Sequence, residues 1–117
     1  MAVIAYTDTG VPSLYGKASL VTWPAMNTPD TGTPIQGVGL SDRCFQVTGT
    51  FGGSTVVLQG SNDGTNWVTL TDPAGIAISF TSTGLKQVLQ ITRYMRPSVS
   101  GGAAVAVDCT LLCVGRN

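Results

Sequence analysis

From Asp42 to Phe51 the side chains alternate: Phe45, Val47, Gly49 and Phe51 fall on one face of an extended chain, and Cys44, Gln46, Thr48 and Thr50 on the other. A period of two is what a strand with one buried and one wet face requires. The run from Ala104 to Val114 repeats the pattern, with Val105, Val107, Cys109, Leu111 and Cys113 sharing a face. It reads as the last core strand.

Composition supports the same reading. All six acidic residues are Asp and none is Glu, while Thr, Val, Gly and Ser abound. The chain is therefore short of strong helix formers and rich in strand and turn formers. With 117 residues it is one domain, large enough to bury a core without staples, with no internal repeat and no linker. Only 10% of residues are charged, against about a quarter in an average soluble domain, which points to surface covered by a partner. Six Lys/Arg balance six Asp, so no net field draws nucleic acid or an anionic membrane. No apolar run approaches the ~20 residues of a spanning helix.

Short strands separated by turns fill the rest of the chain, as in a sandwich or barrel. Val3 to Thr7 reads as a strand broken by Thr9-Gly10-Val11-Pro12-Ser13. Lys17 to Trp23 reads as a second strand, ended by Pro24. From there to Ser41 the chain is loop-like, and Asn27 to Gly39, with Pro29 and Pro34, either reaches across a neighbouring surface or crosses between sheets. Thr55–Gln59, Trp67–Thr71 and Ile76–Phe80 are strands, with an Asp72-Pro73-Ala74-Gly75 turn before the last. Leu85 to Ile91 is a further strand that Arg93 to Ser98 continues.

Candidate chemistry is sparse. Without histidine the usual general base and the commonest metal ligand are missing. With no Glu, no phosphate-binding loop and no clustered acids either, no enzyme, cofactor or metal site is expected. Three cysteines make no disulfide framework, and Met1-Ala2-Val3-Ile4-Ala5 lacks the features of a signal peptide, so synthesis in a reducing cytoplasm is expected. Cys109 and Cys113 lie four residues apart on one strand face, about 13 Å, too far for a disulfide. They read as core residues, and Cys44, on the polar face, as the more exposed thiol. In "QGSNDGTNW" (Gln59 to Trp67), Asn62, Asp63 and Gly64 are the residue types of a tight hairpin, and Trp67 opens the return strand. The spacing does not fit a calcium loop. Arg93 and Arg96 point to opposite faces of a strand and cannot form one clamp. They are surface charges, or one of them meets a carboxylate on another subunit. Trp23 and Trp67 offer rings for a sugar or for packing.

Two family resemblances meet at these residues. "GTFGGSTVVLQGSNDGTNWVTLTDPAG" (Gly49 to Gly75) and "RYMRPSVSGG" (Arg93 to Gly102) resemble small β-sandwich proteins encoded among tailed-bacteriophage head genes, the capsid decoration or cement proteins. "VTWPAMNTPDTG" (Val21 to Gly32) does so more loosely. The same pieces are similar to discoidin-type, galactose-binding-like jelly-roll modules. Ser61, Asn62, Asp63, Gly64 and Trp67 match that family's hairpin, and Arg93, Tyr94 and Arg96 its later strand, in mainly structural roles. The resemblances imply an antiparallel, jelly-roll-like β-sandwich that forms a homodimer or homotrimer and stabilises a head from outside by bridging major capsid protein subunits. A carbohydrate-binding module for host attachment and a tail or head-to-tail joining protein are the alternatives. On the decoration reading the contact candidates are Ala2, Val3, Tyr6, Val11 and Pro12 in an extended segment over residues 1–16. Trp23, Asn27, Pro29, Asp30 and Pro34 around the loop over 24–41 join them, with Arg93 and Arg96. Deleting Ala2 to Pro12 and Asn27 to Gly39 within them is expected to abolish shell binding and to spare the fold.

Overall fold

The computed structural model describes residues 2–10, 18–36 and 42–115. Twelve strands follow in chain order: β1 (Val3–Ile4), β2 (Thr7–Gly10), β3 (Ala18–Met26), β4 (Thr31–Gly32), β5 (Ile35–Gln36), β6 (Asp42–Thr50), β7 (Thr55–Ser61), β8 (Val68–Thr69), β9 (Ser79–Phe80), β10 (Gly84–Gln87), β11 (Tyr94–Ser100) and β12 (Ala106–Val114). They form two sheets. One runs β10-β6-β12-β3-β2; the other runs β1-β4-β11-β7-β8, with β5 also on β11 and β9 also on β7. Pairing is antiparallel except between β1 and β4, which run parallel. The fold is an all-β sandwich in one domain, as the alternation requires.

The core is the interdigitation of the two inner faces. The long strands β6 and β12 contribute Phe45, Val47, Val107, Cys109 and Leu111, all fully buried, against Val56, Leu58, Met95 and Val99 of the other sheet. Phe45 meets Phe80 across the gap, with ring centroids 6.1 Å apart. Arg43 has the same parity as Phe45 and is also buried. Its guanidinium reaches across the sandwich to the Met95 sulfur, 3.3 Å away, and towards the Thr92 carbonyl at 3.4 Å. Burial lowers its pKa, which still leaves a guanidinium charged at neutral pH.

Four expectations need correction. Pro24 does not end the second strand, because β3 runs on to Met26. The register slips between Trp23↔Cys109 and Met26↔Val107, so Pro24 and Ala25 bulge past Asp108. Ala25 takes a φ of 51° and donates its N–H to the Asp108 carboxylate at 2.8 Å. A bulge tolerates the missing proline N–H that a regular ladder would not.

The segment over 24–41 is not a free loop, since β4 and β5 lie within it and pair with β11. Asp30, Thr31 and Ile35 are buried there. Nor is the segment over 1–16 an extended arm in its described part. Thr31 and Thr33 donate to the Ala2 and Ile4 carbonyls at 3.0 and 2.8 Å, and β2 continues over Thr9-Gly10 as a partner of β3. Removing the two segments would strip strands from both sheets.

Finally, Leu85–Ile91 and Arg93–Ser98 are not one strand. β10 belongs to the five-stranded sheet and β11 to the other. Between them Val88 donates to Arg43 O and Leu89 to Thr71 O as the chain crosses over.

Candidate functional site

Strands β7 and β11 lie side by side in register, Arg96 opposite Gln59 and Tyr94 opposite Ser61. Alternation sends Leu58, Met95, Pro97 and Val99 into the core, which leaves Gln59, Tyr94 and Arg96 on the outer face. There Arg96 donates from Nε to Gln59 Oε1 at 3.0 Å, and its guanidinium carbon sits 4.1 Å from the centre of the Trp67 ring. Beside it, Arg93 lies 5.1 Å from the Tyr94 ring centre. Arg93 precedes β11 and escapes its alternation, so, against the expectation of opposite faces, both guanidiniums lie over rings of one face.

The hairpin before Trp67 fixes this row. Asp63 Oδ1 accepts from the Ser61 hydroxyl and from the N–H groups of Thr65 and Asn66, each at 2.8 Å, and Oδ2 accepts from Asn66 Nδ2. Those donors hold the Asp63 carboxyl well below the ordinary carboxylate range, the Asn66 N–H having the largest effect. Gly64 takes a φ of 78°, open at little cost to glycine; a Cβ there would also come within 3.4 Å of the Tyr94 ring. Asn62 Oδ1 accepts from the Arg93 N–H at 3.1 Å and so ties the hairpin to β11. The motif is a self-satisfied turn that places Trp67 under Arg96.

Electrostatics set the two arginines apart. Among the described residues the one ion pair is Lys86 with Asp72 at 3.5 Å, and neither Arg93 nor Arg96 has a carboxylate partner. A guanidinium stacked on a ring keeps outward N–H donors suited to bidentate pairing with a carboxylate. Reactive groups are not assembled in the same way. Burial raises the pKa of Cys44, and that of Cys109 is pushed up to about 12. Among the described residues no three metal-ligating side chains come together.

The remaining contact candidates scatter. Trp23 is fully buried, donates from Nε1 to Thr33 O at 3.0 Å and packs edge-on against Tyr6. It is a core residue and cannot meet a partner or a sugar. Asp30 is buried, and its carboxylate accepts the N–H groups of Ala2 and Asn27 at 3.1 and 3.0 Å, so it too is withdrawn as a contact. Asn27 turns its own side-chain oxygen to the N–H groups of Thr28 and Val105. Ala2, Val3 and Pro29 are exposed and Pro34 is half-buried; Val11 and Pro12 lie outside the described residues. The structure brings together Trp67, Tyr94, Arg93 and Arg96, with Gln59 as the member sequence reasoning missed. Its signal was parity: Gln59 is the polar residue after core Leu58 on the strand facing Arg96.

Fold and surface together define a β-sandwich with a basic and aromatic outer face. Among solved structures, the SPBc2 prophage-derived protein YomS is similar with a TM-score of 0.65 and 11% identity, over 90% of this chain and 98% of that one. The K2 cleaved adhesin domain of Lys-gingipain is similar with a TM-score of 0.52 and 10% identity, over 94% of this chain and 83% of that one. At such identities the likeness is one of fold. No protein-family model matches the chain, and no curated protein matches it.

Proposed function

We propose that this chain is a decoration protein of a tailed-bacteriophage head, an oligomer that sits on the outer capsid surface and bridges major capsid protein subunits. The observation that carries the reading is the outer face of the seven-stranded sheet, where, among the described residues, Arg96 on Trp67 and Arg93 on Tyr94 have no carboxylate partner. Such a pair of cations suits acidic positions repeated across a lattice. The fold shared along nearly the full length of a prophage-derived protein supports the phage setting. The resemblance of Gly49–Gly75 and Arg93–Gly102 to decoration proteins supports the head. A sugar would compete with Arg96 for one face of Trp67, which disfavours the carbohydrate alternative.

Each protomer contributes one charge-assisted contact set, of about 1.5–3 kcal/mol per bond, and oligomerisation raises avidity on a repeated surface. Cosedimentation with decoration-free heads tests the proposal, read as copies bound per shell. Saturation at a stoichiometric number that falls with added salt, and at least a tenfold weakening in Arg96→Ala, is the expected result. No binding to intact shells sinks it.

A further inference from the structure

The outer face of the five-stranded sheet differs in kind from the face just described. On it Leu85 of β10, Cys44 and Gln46 of β6, Thr110 and Leu112 of β12 and Leu20 of β3 line one shallow groove of about 360 Å³. A second groove of about 280 Å³ continues it past Cys44 and Leu112. Cross-strand register puts these side chains side by side: Leu85↔Gln46, Gln46↔Thr110, Cys44↔Leu112 and Leu112↔Leu20. By strand parity, the acidic side chains of this face lie outside the groove of Leu85, Gln46, Thr110, Leu112 and Leu20: Asp42 at one end, and Asp108 one outward position in from the other, where its carboxylate accepts the Ala25 N–H. Leu85 is 61% exposed although it sits in a sheet.

We propose that this face is the contact between two copies of the chain, packed sheet on sheet about a two-fold axis. Symmetry supplies the first argument. In an isologous contact a residue near the axis meets its own copy, so a charge there would be repelled by itself. A central face of Leu, Thr, Gln and Cys avoids that penalty, whereas a partner of a different kind would place no such demand on it.

Area supplies the second. Five strands at about 4.8 Å spacing, three of them nine residues at about 3.3 Å per residue, span roughly 550 Å² in projection. Two copies would bury about 1,100 Å² or more, above the ~1,000 Å² at which a specific interface becomes plausible. The low charge content of the chain, 10%, has an outlet in this buried face. The contact leaves the Arg96 face on the opposite side free, so it stands independently of the shell-binding proposal.

Sedimentation velocity of the purified chain from 1 to 100 µM tests it, beside Leu112→Glu and Gln46→Arg. The second variant covers the case in which the first fails to fold, because Gln46 is exposed. The expected result is a wild-type dimer and a monomer at every concentration for each folded variant, with Arg96→Ala still dimeric. Cys44 gives an internal reading, since it is the half-exposed thiol beside two buried ones. Its reaction with a thiol reagent is expected to slow at least fivefold as the wild type dimerises, and to be independent of concentration in the variants. A monomeric wild type at 100 µM, or a dimer that survives Gln46→Arg with Cys44 still fast, overturns the proposal.

Discussion

Gly32→Ala tests whether the two sheets meet as tightly as described, because Gly32 sits where β3 and β11 come together. A Cβ at Gly32 would fall 2.6 Å from Trp23 Cδ1, from Trp23 Nε1 and from Pro97 Cδ, against about 3.5–4.0 Å for a comfortable carbon contact. Neither neighbour is free to give by the ångström required. The indole is fully buried and hydrogen-bonded to Thr33 O, and Pro97 is buried in a strand paired on both sides.

Overpacking of this kind costs about 1–3 kcal/mol, here at the upper end, and displacing the indole from Thr33 adds about 1 kcal/mol. Alanine returns about 0.7 kcal/mol by restricting the unfolded chain. The net loss is about 3 kcal/mol. With an unfolding entropy of about 2.1 cal/mol/K per residue over the chain, this lowers Tm by about 12 °C. Urea denaturation and thermal melts followed by tryptophan fluorescence measure both quantities. A loss under about 1 kcal/mol at an unchanged m-value would refute the reasoning, since it would mean that the inter-sheet contact yields.

Asp30→Ala removes the acceptor of the Ala2 and Asn27 N–H groups and is expected to cost about 2–3 kcal/mol. Hydrogen exchange at the Thr31 and Thr33 amides should accelerate with it as β1 detaches. Asp63 has a folded pKa below its unfolded value, so its stabilisation is fully present above the unfolded pKa of about 3.9 and is lost as pH falls through the folded one. Asp63→Asn should accordingly show a shallower loss of stability on acidification below pH ~4 by chemical denaturation, and a steep wild-type slope retained in the variant would count against the turn's role. In dilute, monomeric native protein a thiol reagent should titrate one cysteine quickly, and three in denaturant, because Cys109 and Cys113 are buried and their pKa values are raised. Rapid native reaction of two or more would contradict the core placement.

Long alternating runs were legible and short strands were not. In β6 and β12 nine residues each carry the period, and the inner face of the five-stranded sheet follows from it. β4, β5, β8 and β9 have two residues each, too few to carry any period, so the segment around β4 and β5 reads as loop. Pro24 misleads because the bulge opposite Asp108 is a tertiary feature. The crossover at Val88–Arg93 is hidden for a similar reason: its hydrogen bonds go to Arg43 and Thr71, which no local pattern announces. For the site, the hairpin chemistry of Asn62-Asp63-Gly64 was plain in sequence. The stacking of Arg96 on Trp67 was not, since it joins residues brought together only by the pairing of β7 with β11.

The position of β12 has a consequence for how the molecule comes into being. It lies between β6 and β3, yet it is the last strand of the twelve to leave a ribosome. Until Ala106–Val114 has emerged, that sheet exists only as two separate ladders, β10 with β6 and β3 with β2. Each has an unpaired edge, and the apolar rows headed by Phe45 and Trp23 have nothing between them. Closure therefore waits for β12, and it is governed by contacts distant in sequence and slow for that reason. The nascent chain is exposed to edge-to-edge aggregation while it waits.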